Sequence, residues 1–229
     1  MKSFTYLLVD FLTVIICFIA SFDKRIRFDR HFLNFLKAAI LVAIPFLIWD
    51  EWFVRKSVWW FNSDYTLGIN FGSLPLEEYL FFICIPFACL FTFFCIDKFF
   101  NLNFLEKYNS AVIYFVILLC IIGVTMFYNK LYPCVTFIVA GLTLILYLVL
   151  KSNWIAKATF VYVILLPGFF LVNGVLTGTG LDSPIVNYNA EEIIGIRLGT
   201  IPIEDSIYGY ANFLLVIGLF KHFAFKTLK

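Results

Sequence analysis

Seven stretches of this chain are apolar over about the 17 to 25 residues that a helix needs to cross a bilayer, and no other feature constrains the fold as tightly. They run over Phe4–Phe22, Phe32–Trp49, Pro75–Ile96, Ala111–Tyr128, Leu131–Leu150, Trp154–Leu176 and Pro202–Phe220. A bilayer holds no water to bond the backbone, so such segments are helices that close their hydrogen bonds internally. The expected fold class is all-α, a polytopic membrane protein of seven transmembrane helices. Composition agrees, with 62% of residues hydrophobic and 14% charged, against about 25% charged in soluble domains. Together with a mean hydropathy of +0.95, this excludes a disordered chain, a nucleic-acid-binding domain and a soluble enzyme with one apolar core. Six cysteines fall in or beside apolar stretches without paired spacing, so they read as inert core thiols. The first segment is no secretory signal by pattern: only Lys2 precedes it, and Asp23-Lys24-Arg25-Ile26-Arg27 after it reads as a stop-transfer flank.

Basic residues in short loops are retained on the cytoplasmic side. With seven spans, one face carries Lys2, Arg55, Lys56, Lys130 and Arg197, whereas the other carries the remaining 12 of 17, from Lys24 to Lys226 and Lys229. The expected orientation is N-terminus outside and C-terminus in the cytoplasm. Ten of 15 acidic residues lie on the outer side, a skew that insertion does not explain and that points to chemistry there.

The chain also repeats itself. Residues Asn62–Phe82 align without a gap onto Asn189–Gly209 at an offset of 127, pairing Gly68 with Gly195, Gly72 with Gly199, Pro75 with Pro202 and Glu77 with Glu204. Glu78 meets Asp205 and Phe81 meets Tyr208. The same offset lays the first helix on the fifth and the second on the sixth, giving a first three-helix repeat over 1–100, a linking helix over 101–130 and a second repeat over 131–229. The linking helix restores parity, so the two repeats are parallel and related by an axis along the membrane normal. Both Pro-x-Glu-acid motifs then lie at one depth and can face one cavity.

Each motif opens a helix, with Pro75 or Pro202 expected at the first helical position and the carboxyls in the first turn. Capping alone would account for acids there, at about 0.3 to 1 kcal/mol each. The apolar run that follows at once sets these carboxyls near the hydrocarbon boundary, where ionisable groups are expensive and usually functional. A buried pair of acids can hold a proton for a substrate. Asp50 and Asn173, each after a proline-containing apolar stretch, are equivalent if a gap of about four residues is allowed in the repeat. Asp10, inside the first helix, reads as a structural hydrogen bond to a neighbour. Trp49, Trp52, Trp59 and Trp60 read as an interfacial belt, or as an aromatic wall that stabilises a cation. No dinucleotide fingerprint or P-loop occurs, and His31 and His222 stand far apart, so no cofactor or metal is expected. The seventh helix has no lysine before Lys221, which argues against a retinal protein.

Blocks Pro45–Asp50, Leu74–Phe82, Val172–Gly178, Val186–Asn189 and Thr200–Asp205 resemble the membrane-integral lycopene cyclase domain family. That family occurs as paired small subunits or fused tandem domains in bacteria and archaea, and joined to phytoene synthase in fungi. The resemblance implies cofactor-free cyclisation of carotenoid end groups, an isomerase reaction of the lycopene to β-carotene type on an apolar polyene taken from the bilayer lipid. It assigns catalytic roles to Glu77, Glu78, Glu204 and Asp205, with Glu77 or Glu204 favoured as acid and Glu78 or Asp205 as its partner. Supporting or substrate-binding roles fall to Trp49, Asp50, Asn62, Pro75, Phe81, Asn173, Asn189, Pro202 and Tyr208. The particular carotenoid, the ring type, the repeat that supplies the acid and the oligomeric state stay open. A proton-coupled transporter with parallel repeats and a noncatalytic membrane subunit are the competing classes.

Overall fold

The computed structural model describes residues 2–227, and Lys229 and the side chain of Lys226 lie outside what it describes. Among the described residues seven helices are long and apolar enough to cross a membrane. They are α1 (Thr5–Ala20), α2 (Phe32–Arg55), α3 (Leu76–Phe99), α4 (Asn109–Phe127), α5 (Leu131–Val149), α6 (Ile155–Leu176) and α7 (Ile203–Thr227). α2 runs six residues beyond the expected Trp49, carrying Asp50 inside the helix rather than at its end.

The loops on one face hold six short strands: β1 (Trp59–Phe61), β2 (Asn70–Phe71), β3 (Leu74–Pro75), β4 (Val186–Tyr188), β5 (Arg197–Leu198) and β6 (Ile201–Pro202). The hairpin β2–β3 pairs Asn70 with Pro75 and Phe71 with Leu74. β5–β6 pairs Arg197 with Pro202 and Leu198 with Ile201, the same register 127 residues later. Gly72 and Gly199 turn these hairpins at φ 65° and 66°, which a side chain disfavours, so their recurrence in the repeat has a backbone cause. Pro75 has extended φ and ψ and closes a strand, so it stands one place before the first helical residue expected for it. A proline fits there because it fixes φ, and Asn70 opposite makes no demand on its missing N–H at the ladder's end.

β1 and β4 are each other's repeat equivalents, and they pair antiparallel: Trp59 with Tyr188, Trp60 with Asn187, Phe61 with Val186. The Asn62 N–H donates to Ile185 O and the Asn189 N–H to Val58 O, both at 2.8 Å. A local two-fold axis therefore passes between Trp60 and Asn187. It relates α1–α3 to α5–α7 in the same sense through the membrane, and α4 packs mainly against α5.

α3 and α7 form the centre. α2 lies close along both, because Ala38, Ala39 and Ala43 on its inner face are small and buried. α6, its repeat equivalent, touches them far less. At the opposite face the Asn109 side chain ties α4 to α6, donating to Ser152 O and accepting from the Ala156 N–H, and Lys157 pairs with Asp97 at 2.6 Å.

The strand pair predicts a cross-link. In a background without the native cysteines, Phe61→Cys with Val186→Cys should oxidise to a disulfide that still joins the fragments after cleavage between α4 and α5, since opposed residues of an antiparallel pair are within about 5.5 Å. Separate fragments on a non-reducing gel would contradict the two-fold pairing.

Candidate active site

Three carboxyl groups meet where the two repeats join. On the first-repeat side Glu78, 7% exposed, stands in the first turn of α3, and Asp50, 2% exposed, reaches it from α2. Both carboxyls are buried at the same corner of the bundle, and two acids placed together out of water favour holding one proton. The Tyr6 hydroxyl of α1 donates to Glu78 Oε2 at 2.6 Å, and the Tyr208 hydroxyl of α7 donates to Asp50 Oδ1 at 2.9 Å.

The second repeat builds an equivalent corner from different residues. Asp205, 4% exposed, accepts from the Tyr132 hydroxyl at 2.6 Å, and Tyr132 stands on α5 where Tyr6 stands on α1. A further hydroxyl, from Tyr188 in β4, donates to Asp205 Oδ2 at 2.9 Å. Burial, and then the Asp205 carboxylate beside it, hold the Tyr188 hydroxyl well above the usual tyrosine range, so it remains a donor. At the position of Asp50 this half has Asn173, which has no acidic proton to share. The first corner is thus a pair of carboxyls, each accepting one tyrosine O–H, and the second a lone carboxyl gripped by two O–H donors.

Glu77 and Glu204, both 0% exposed, turn away from this centre. Glu77 Oε1 accepts the Leu67 N–H at 2.7 Å, and Glu204 Oε1 accepts the Ile194 N–H, again 127 residues on. Each carboxyl fastens its hairpin loop to the helix start, and each second oxygen is without a hydrogen-bond partner among the described residues.

Between the two corners lies a cavity with about 910 Å³ of unfilled space, part of it open to the surface. Six positions of α3 from Glu78 to Cys89, and the six equivalent positions of α7 from Asp205 to Val216, line it at the spacing of one helix face. Eleven residues of helix extend about 16 Å. Glu78, Asp50 and Asp205 gather at the strand-bearing end, under Trp59, Tyr132 and Tyr188, whose rings touch one another at 5.0–6.1 Å between centroids. The remainder is almost wholly apolar. Such a chamber takes an apolar molecule and offers it a proton, an acceptor for a proton, and π-faces for a cation between them.

A lycopene cyclase family profile matches residues 3–96 and 129–223, covering both repeats and skipping α4. This chain belongs to the lycopene cyclase family. A bifunctional lycopene cyclase/phytoene synthase of Podospora anserina is 30% identical over 56 residues, 23% of this chain and 9% of that protein. The chain thus matches only a small part of the length of that relative. No solved structure matches.

Of the residues expected at a lycopene cyclase site, Asp50, Glu78, Phe81, Asn173, Asp205 and Tyr208 line the cavity. Glu77, Glu204, Pro75 and Pro202 build the hairpin-to-helix junctions instead. Asn62 and Asn189 cap local turns, accepting the Asp64 and Glu191 N–H groups at 3.0 Å. Trp49 packs behind Tyr208 at 4.8 Å without reaching the cavity. Trp52 and Trp60 are exposed as a belt requires, whereas Trp49 and Trp59 are buried inside the fold. Asp10 lacks the hydrogen bond expected of it: both oxygens are buried and without a partner among the described residues, one turn from Tyr6. Sequence reasoning missed Tyr6, Tyr132 and Tyr188. The signal was present, since Tyr6 and Tyr132 recur 126 residues apart, but 12 tyrosines among 30 phenylalanines hide it.

The loop-fastening role of Glu77 predicts a split between two substitutions. Glu77→Gln keeps a carbonyl acceptor for Leu67, whereas Glu77→Ala strands a buried N–H and should cost about 1–3 kcal/mol in unfolding measured in detergent. Equal stability of the two variants would contradict it.

Proposed function

We propose that this protein cyclises the linear end groups of a carotenoid by proton transfer alone. The observation that carries this reading is a mainly apolar cavity onto which two neighbouring carboxyls of the first repeat, Asp50 and Glu78, and one of the second, Asp205, all open. Family membership supports the substrate class.

The chemistry follows from the two corners. The Asp50–Glu78 pair gives its proton to the terminal double bond of the polyene, and a tertiary cation forms. The Tyr6 and Tyr208 hydroxyls then support the charge left on the pair through bonds already in place, so little rearrangement accompanies the transfer. The next double bond attacks the cation and closes the ring, and the charge moves to a ring carbon beside the aromatic wall. Asp205, which accepts from two tyrosines and shares its corner with an amide instead of an acid, removes a ring proton. One proton enters and one leaves, so the product is an isomer of the substrate and no electrons are exchanged. Water is kept from the cation by the apolar wall, which blocks hydration as a side reaction. We place the strand-bearing face outside the membrane, because the opposite face carries most of the basic residues.

The test is pigment analysis of a lycopene-accumulating host expressing this chain alone. The wild type should convert lycopene to cyclic product. General acid or base catalysis contributes typically about 10²- to 10⁴-fold, so Glu78→Gln, Asp50→Asn and Asp205→Asn should each lose activity by that order at matched protein level. Glu77→Gln should retain most of it. Unchanged lycopene with the wild type, or full activity of Glu78→Gln and Asp205→Asn together, would overturn the reading.

A further inference from the structure

The two-fold symmetry fails again beyond the carboxyl corners, and there the failure shapes the cavity. α3 and α7 contribute equivalent positions to its wall, but α6 contributes Tyr162, Phe169, Asn173 and Leu176 where α2 contributes only Asp50. Two exchanges between the repeats account for this. The residue equivalent to Phe82 is Gly209, and the residue equivalent to Ala39, at the 123-residue offset that relates Asp50 to Asn173, is Tyr162. Phe82 is 2% exposed and packs its ring on Phe46 at 5.9 Å, which seals the first-repeat side. Phe169, equivalent to Phe46, faces bare backbone at Gly209, where a Cβ would stand 3.2 Å from its ring and 2.9 Å from the Tyr162 hydroxyl. Ala39 lets α2 close on its neighbours. Tyr162 instead acts as a strut, its hydroxyl donating to Ser206 O of α7 at 2.6 Å and its ring lying 5.4 Å from Phe213.

The arm so opened is mainly apolar, and one polar group in its wall lacks a partner among the described residues. Asn212, 8% exposed, takes the place of Ile85, and its Nδ2 has no hydrogen-bond partner among the described residues. It lies on the cavity wall two turns below Asp205. An unpaired amide in an apolar wall costs free energy unless an occupant meets it. A conjugated chain does so with its π-face, which accepts N–H groups weakly.

We propose that this arm holds the polyene tail while the end group reacts at the carboxyls, and that Gly209 and Tyr162 set its bore, so that one end of the molecule is processed per binding event. The proposal rests on the cyclase reading and adds the path of the substrate. A molecule with two linear ends then has to leave and re-enter inverted to be cyclised twice.

Two probes separate the arm from the chemistry: full-length lycopene, and a shortened acyclic analogue with the same end group but no extended tail, both presented in lipid vesicles with the purified protein. Gly209→Phe gives the second repeat the residue of the first. A pocket residue that excludes part of a substrate typically changes selectivity by about 10- to 200-fold, so this variant should lose lycopene turnover by at least about tenfold against the short probe. Tyr162→Ala, the other exchange, removes the strut and should show the same selective loss, which guards against poor folding of Gly209→Phe. Equal loss on the two probes, or undiminished lycopene turnover in both arm variants, would overturn the arm. Failure of the wild type on both probes would instead overturn the cyclase reading and the proposal with it.

Discussion

Carboxyl groups at membrane depth have to be satisfied by the protein itself, because lipid offers neither water nor counter-ions. Glu77, Glu78, Asp50, Glu204 and Asp205 are all buried, and no ion pair with a basic residue joins any of them among the described residues. They are held by O–H and N–H donors from elements far apart in sequence. Tyr6 of α1 reaches α3, Tyr132 of α5 and Tyr188 of β4 reach α7, and Tyr208 of α7 reaches back to α2. The helices can be arranged in few ways that keep all these bonds. Placing the motifs at the junction of the repeats, under a strand pair that spans the two-fold axis, is one that does.

The division of labour within each Pro-x-Glu-acid motif follows from helix geometry. Successive residues at a helix start point about 100° apart, so one carboxyl can face back to the hairpin while the next faces the neighbouring repeat. The glutamate in both copies takes the first role and fastens the loop. The acid after it takes the second and reaches the cavity. Recurrence of Glu in both copies therefore has a structural cause, the shared need of a loop amide. Variation at the next position, Glu78 against Asp205, accompanies the change of partner from Asp50 to Asn173. The two repeats carry similar corners, and in the proposed reaction their difference supplies a donor on one side and an acceptor on the other.

Much of this was legible in the sequence. Span lengths and the 127-residue offset give seven helices and two parallel repeats, and the hairpin glycines and prolines mark the loops at which the site is built. The strands were not legible, because two- and three-residue ladders in a loop leave no periodicity. The partition between Glu77 and Glu78 was hidden for a related reason: adjacent carboxyls differ only in direction, which depends on the hairpin fixed above them. The tyrosine donors act across the bundle, and one-dimensional spacing carries no record of that. Gly209 was paired with Phe82 in the alignment, yet its meaning appears only once Tyr162 and Phe169 are seen to face the gap.

The proposed mechanism turns on the transfer of a carboxyl proton from the protein to the polyene. It is tested most directly by single turnover in deuterium oxide, with enzyme equilibrated in the solvent and in excess over lycopene. The product should carry one deuterium atom for each ring formed, at the carbon that the acid protonates. Cyclic product of unchanged mass would contradict it.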